Sequence, residues 1–216
     1  MEQQLIRVHS YESTGTFDGP GLRYVVFLQG CPFRCLYCAN PDTIEAIGQS
    51  KLTSPDYIVE QAESLKPFFG KRGGVTFSGG EPTVQAKALL KETDLVLLDV
   101  KEIRSAQHEH ITGRPNTQTL ATAAWLEENE RPFWLRYVLV PGLSDAEEDL
   151  RALGEHFKNY KMIERVELLP YHRLGVHKYE SLGWDYQLKD TKENTAEQLK
   201  HAEDVLREYF PQLVVN

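Results

Sequence analysis

Apolar and polar positions follow two rhythms along this chain, and each predicts a different element. Gly21–Gly30 (GLRYVVFLQG) is a short apolar run and predicts a strand. Ser54–Phe69 has helical spacing, with Ile58, Ala62, Leu65 and Phe69 on one face. Ser54 is placed to cap its start and Pro55 suits its first turn. Gly74–Phe77 predicts a short strand running into Ser78, Gly79 and Gly80, and Thr83–Lys91 predicts one short helix. Asp94–Val100 predicts an apolar strand ending in charge, and Gln118–Asn129 a helix. Phe133–Val140 (FWLRYVLV) predicts a buried strand stopped by Pro141 and Gly142. Ser144, with Glu147 three positions on, predicts a capping box that opens the next helix. Val166–Leu169 predicts another strand, and Thr195–Phe210 a terminal helix capped by Thr195 with Gln198. Ser181–Asn194 is polar and predicts an exposed excursion.

Strand-like and helix-like segments alternate, so the expected class is α/β with about five parallel-type strands. Continuous apolar strands covered by helices suit a parallel sheet. In such folds the chemistry gathers at the carboxyl ends of strands. The cysteine loop, Gly79–Gly80–Glu81, Asp99–Lys101, Arg136 and His172 all fall near those ends. A chain of 216 residues fits one domain, expected to span 1–216. The formal net charge of −8 gives no sign of a nucleic-acid face. No run approaches the length of a membrane span, and MEQQLIRVHS lacks the features of a secretory signal, so a cytoplasmic location is expected.

All three cysteines sit on one loop, Cys31, Cys35 and Cys38, spaced C-x3-C-x2-C. A disulfide scaffold does not use an odd, clustered set. Three thiolates can hold three irons of a [4Fe–4S] cubane and leave the fourth open to another ligand, whereas electron-carrying clusters usually have four thiolates. Zinc would need a fourth ligand, such as His9, and an incidental cluster of reduced cysteines is a third alternative. Gly30 relieves crowding before Cys31, Pro32 stiffens the entry, and Phe33 and Tyr37 are placed either to shield the site or simply to fill a core.

Six segments decide among these. They are GTFDGPGLR (15–23), CPFRCLYC (31–38), FSGGEP (77–82), LLDVK (97–101), LRYVLVPG (135–142) and ELLPYHRLG (167–175). Across nearly the whole chain, in order, the sequence resembles the radical S-adenosylmethionine (SAM) superfamily. Within it the sequence is most similar to the pyruvate formate-lyase activating enzymes, which install a glycyl radical on a partner enzyme. The cysteine motif with GGEP carries the superfamily; DGPG, VPG and LLPYH favour the activase branch.

The resemblance implies a partial (β/α) barrel, six-stranded in the family and here with five recognisable core strands. It implies that Cys31, Cys35 and Cys38 ligate the cubane, whose unique iron is chelated by SAM. One electron then cleaves SAM to a 5′-deoxyadenosyl radical, which takes a hydrogen atom from a glycine of the partner. Gly79 and Gly80 are expected to let the backbone approach the methionine moiety, Glu81 to meet its ammonium and Tyr37 to pack near adenine. Asp99 and Lys101 match the segment associated with a monovalent cation near SAM and with partner-peptide binding. Arg136 falls near the SAM carboxylate and, interrupting an apolar strand, needs a charge partner. His172 is expected near SAM, and Asp18–Gly21 is expected to shape the mouth of the site. The implied partners are a glycyl-radical enzyme such as pyruvate formate-lyase and a flavodoxin or ferredoxin electron donor. One departure stands out: only fourteen residues separate Pro82 from Leu97, and no Asp-Thr-x-Gly segment lies among them. Relative to the family, roughly 25–30 residues are absent, about one βα repeat. Weakened or lost activase function is the expected result.

Overall fold

The computed structural model describes residues 5–85 and 92–216. The chain divides into two compact units. One is built from the chain up to Pro32, the stretch beginning at Asn40, and His177–Trp184; the other from Phe33–Ala39, Thr93–Val176 and Asp185–Asn216.

The first unit carries a four-stranded sheet in the order β3-β1-β2-β4. Its strands are β1 (Ile6–Gly15), β2 (Arg23–Leu28), β3 (Lys51–Thr53) and β4 (Gly74–Gly79). β1 pairs antiparallel with both β2 and β3, while β2 and β4 run parallel in register from Arg23 opposite Gly74 to Leu28 opposite Gly79. Helix α1 (Pro55–Leu65) begins as its sequence dictates: Ser54 accepts a hydrogen bond from the Tyr57 amide, and Pro55 occupies the first turn. Ile58 of α1 joins Val8, Tyr24, Val26 and Leu28 in the core. A short helix, α2 (Pro82–Gln85), follows β4. The helix expected over Thr83–Lys91 is described only to Gln85; its remainder lies outside the described residues.

The second unit carries an all-parallel sheet in the order β5-β6-β7-β8. Its strands are β5 (Val96–Asp99), β6 (Phe133–Leu139), β7 (Ile163–Pro170) and β8 (Leu213–Val215). The helices are α3 (Ser105–Thr112), α4 (Thr117–Glu128), α5 (Glu147–Phe157), α6 (Val176–Leu182, all but its first residue in the first unit) and α7 (Ala196–Arg207). Phe133, Leu135, Tyr137 and Leu139 of β6 point inward and meet Leu150, Leu153 and Phe157 of α5 and Val205 and Leu206 of α7. Burying each large apolar side chain contributes about 1.5–3 kcal/mol. α7 opens with the expected capping box between Thr195 and Gln198.

The five parallel-type strands read from the sequence are β2, β4, β5, β6 and β7; the antiparallel β1 and β3 and the short β8 add to them. They are shared between two sheets, and neither β4 nor β5 has a second neighbouring strand among the described residues. Two local expectations are corrected. The Ser144–Glu147 capping box does not form: α5 starts after Ala146, while Ser144 Oγ accepts from the Val140 amide and donates to the Val138 carbonyl, closing the turn after β6. The segment after Ser181 is not wholly exposed either. Tyr186 and Leu188 are buried, and the Tyr186 hydroxyl lies 2.7 Å from that of Tyr171.

Candidate functional site

The cysteines lie within eight residues of chain, and backbone hydrogen bonds hold that loop at its start and on both sides of Cys35. On the first unit's side, Gly30 N donates to Thr43 O and Cys31 N to Ile44 O, at 2.7 and 3.0 Å. Gln29, 2% exposed, extends the clamp by donating from Nε2 to the carbonyls of Asp42 and Glu45. Within the second unit, Arg34 N donates to Thr112 O and Leu36 N to Ile111 O. No disulfide joins the three thiols, and each is partly exposed. Among the described residues no three His, Cys, Asp or Glu side chains close around one ion, as a structural zinc site requires. Three thiolates of a soft-ligand set on an ordered loop fit an iron–sulfur cluster, which takes each thiolate at a different iron.

In the first unit, the carboxyl end of β4 meets that of β2 backbone to backbone. Gly79 has φ +95°, and a Cβ there would lie 2.7 Å from Leu28 N and O. A Cβ on Gly80 would lie 2.3 Å from Gly30 O. Both glycines are therefore required by the approach of one strand end to the other, whatever else binds there. Glu81 N donates to Gly30 O, while Glu81 Oε1 accepts from Thr83 N and Oγ1 at the start of α2. Gln85 fixes α2 in turn, donating to the carbonyls of Arg7 and Gln29 and accepting from Arg7 N. The Asp18–Gly21 turn is held by Arg23, which donates to Pro20 O, Thr76 Oγ1 and Val75 O, and by Thr76 Oγ1 donating to Asp18 O.

In the second unit, side chains make the site. Asp99, Arg136 and Glu167 occupy paired positions on β5, β6 and β7, so they share one face as an acid–base–acid row. Arg136 Nε lies 3.4 Å from Glu167 Oε2, which is the charge partner its sequence position demanded. Glu167 also meets Arg165 Nε at 2.9 Å, and the Arg165 guanidinium lies over the Trp134 ring. Lys101 Nζ lies 3.5 Å from Asp99 Oδ1 and 5.7 Å from the Tyr37 ring centroid. Burial alone would push the Asp99 carboxyl up, but Lys101 and Arg136 outweigh it and hold it below its ordinary value. Burial would likewise push the Lys101 ammonium down; Asp99 and Tyr37 reverse this and keep it firmly charged. Burial drives the Tyr37 phenol well up, and its hydroxyl has no hydrogen-bond partner among the described residues.

The structure thus gathers Tyr37, Asp99, Lys101 and Arg136 in one unit, and Gly79, Gly80 and Glu81 in the other. His172 does not join the charged row. It is exposed, and the contact described for its ring is with the Leu174 amide at 3.4 Å. Sequence reasoning passed over Glu167 and Gln29. Glu167 is one of two acids in β7, and only the register that sets it opposite Arg136 shows its role. Gln29, a polar residue between a buried strand and a cysteine loop, carried no signal beyond its position.

Comparisons with known proteins bear on the chain as a whole. Residues 17–120 match the family described as a 4Fe-4S single cluster domain. The pyruvate formate-lyase-activating enzyme of Staphylococcus epidermidis is 42% identical, over 90% of this chain and 92% of its own length. That of Staphylococcus aureus is 41% identical with the same coverage. Among solved structures, a domain of a pyruvate-formate lyase-activating enzyme from Bacteroides vulgatus covers 75% of this chain and 91% of its own, with a TM-score of 0.53 at 18% identity. Streptococcus suis SuiB bound to S-adenosylmethionine covers 86% of this chain and 48% of its own, with a TM-score of 0.57 at 14% identity. These two likenesses concern the fold. No helix among the described residues is long and apolar enough to cross a membrane. On the strength of its curated relatives, the chain belongs to the pyruvate formate-lyase-activating enzyme family.

Proposed function

We propose that this protein activates a glycyl-radical enzyme, pyruvate formate-lyase, as a single radical SAM domain spanning 1–216. The observation that carries this is the cysteine loop held by backbone hydrogen bonds at Gly30, Cys31, Arg34 and Leu36, in a chain with 42% identity to an activating enzyme. Cys31, Cys35 and Cys38 would hold a [4Fe–4S] cluster. When bound, cluster and SAM supply the one-electron cleavage that delivers a 5′-deoxyadenosyl radical to a glycine of the partner.

The chain's own residues bind and orient. Arg136 presents a cation suited to the SAM carboxylate, and its pairing with Glu167 fixes the guanidinium in place. Glu81 keeps one carboxylate oxygen beyond the two donors on its Oε1 and suits the SAM ammonium. Tyr37 offers an aromatic surface for adenine. Asp99 stays ionised and is the natural ligand for a monovalent cation, while Lys101 suits a partner peptide. His172, exposed on the loop after β7, is assigned to SAM by family likeness alone. A flavodoxin or ferredoxin would deliver the electron in the cytoplasm.

A second reading, a catalytically impaired homologue, is favoured by one observation. The alignment to the S. epidermidis enzyme runs over 232 positions but takes in 90% of a 216-residue chain, about 194 residues, so the relative's matching stretch is longer by roughly 38. The missing Asp-Thr-x-Gly segment agrees with a lost βα repeat. Anaerobic reconstitution with iron and sulfide, followed by reductant and SAM, separates the two. Quantified 5′-deoxyadenosine and a glycyl-radical signal in added pyruvate formate-lyase are expected of a competent activase. A full cubane without 5′-deoxyadenosine would establish the impaired homologue. A Cys35→Ala variant is expected to lose the cubane absorbance in either case.

A further inference from the structure

Behind the charged row lies a buried carboxyl that the proposed chemistry does not use. Glu102 is wholly buried, one residue beyond Lys101. Its Oε1 accepts from the amides of Ile103, at 2.6 Å, and Arg104, at 3.1 Å, tying down the backbone between Lys101 and α3. Its main-chain carbonyl and that of Ile103 receive Asn116 Nδ2 from the start of α4. Its Oε2 lies 3.2 Å from the Tyr137 hydroxyl, which also lies 3.0 Å from the Ser144 carbonyl.

Counting protons decides the state of this cluster. A phenol has one hydrogen to donate, and the Ser144 carbonyl can only accept. If Glu102 were ionised, it and Ser144 O would compete for that hydrogen, and one buried acceptor would go unserved. A carboxylic acid removes the conflict: Glu102 Oε2–H donates to Tyr137 Oη, which donates to Ser144 O. The charged surroundings favour the same state. Asp149 of α5 stands nearby as a buried acid, and the cation facing the cluster, Arg104, is already paired with Asp149 and with Glu148.

We propose that Glu102 is a protonated positioning residue, whose hydrogen-bond chain through Tyr137 to Ser144 locks the carboxyl ends of β5 and β6 and so holds Lys101 against Asp99 and Tyr37. Its relevance to radical chemistry rests on the function proposed above; its existence does not. Burial, with Asp149 adding to it, raises the Glu102 carboxyl above its ordinary range, against the pull of its amide donors and Tyr137. A raised folded-state value contributes stability that is present below the unfolded value and is lost as pH rises through the folded one.

The test needs neither cluster nor SAM, so failure of the activase reading leaves it intact. On the full-length apo-protein at neutral pH, the infrared band of a protonated carboxylic acid is expected in the wild type and absent from Glu102→Gln. Amine labelling of Lys101, read by mass spectrometry, is expected to be unchanged in Glu102→Gln, whose amide still donates to Tyr137, and to rise several-fold in Glu102→Ala. Should Glu102→Ala not fold, Tyr137→Phe removes the acceptor of the same proton and is expected to raise the labelling too. A difference spectrum without that band would overturn the proposal. So would Lys101 labelling in Glu102→Gln that rises as in Glu102→Ala or Tyr137→Phe, or labelling that moves in none of them.

Discussion

In the first unit, the ends of the parallel strands are nearly bare: Gly30, Gly79 and Gly80 leave backbone facing backbone. In the second unit, the ends of β5, β6 and β7 carry Asp99, Arg136 and Glu167 in register. The first arrangement presents fixed amides and carbonyls at close range, and it tolerates no added atom. The second presents full charges whose values depend on one another, and it tolerates changes of shape better than changes of charge. Two sheets with parallel strands thus equip their carboxyl ends in opposite ways, by removing side chains and by opposing them.

The comparison is broken most severely at Gly80. Gly80→Ala places a methyl group 2.3 Å from Gly30 O, a backbone atom that cannot swing aside. Urea unfolding is expected to show a loss of roughly 3 kcal/mol, and wild-type stability in this variant would mean that β4 and β2 can separate at no cost. Next comes Glu167→Gln, which leaves Arg136 and Arg165 without their shared carboxylate. A loss of roughly 2 kcal/mol is expected, because one partner of a largely buried pair is removed. A neutral result would show the row to be dispensable for the fold. Smaller still is the acid limb. With its carboxyl held low, Asp99 contributes stability above its unfolded value, which is lost as pH falls below about 4. Asp99→Asn is expected to flatten that part of the stability–pH curve, and an unchanged limb would mean that Lys101 and Arg136 do not act on it. The smallest effect is expected from Thr195→Ala, which removes the cap of α7 and no contact of the charged row. About 1 kcal/mol should be lost, with Lys101 labelling unmoved.

The sequence carried the strands and helices whose signals are local. β2, β6 and β7 are apolar runs between clear stops, and Ser54 and Thr195 sit where a capping residue must. Ser144 shows the limit of such grammar. Its spacing to Glu147 is that of a capping box, yet the turn after β6 leaves buried groups on Val138 and Val140 unserved, and the hydroxyl goes to them. The cysteines, Asp99, Lys101 and Arg136 were legible because each is a chemical exception in its surroundings. Glu167 and Glu102 were not, because their meaning is relational. One needs the register of β6 against β7, and the other needs a count of protons around Tyr137. His172 gave a correct strand end and no place in the charged row, because a strand end fixes where the backbone stops and not where the next ring turns.

The double anchoring of the cysteine loop bears on how the protein would survive losing its metal. The start of the loop is ordered by Thr43 and Ile44, and its middle, at Arg34 and Leu36, by Thr112 and Ile111. Fixing an unconstrained residue costs about 1–2 kcal/mol of conformational entropy, and here much of that ordering is already done by the polypeptide. A cluster destroyed by oxygen would leave behind a mould rather than a loose strand. Repair then becomes a refilling reaction, governed by the supply of iron and sulfide and not by refolding.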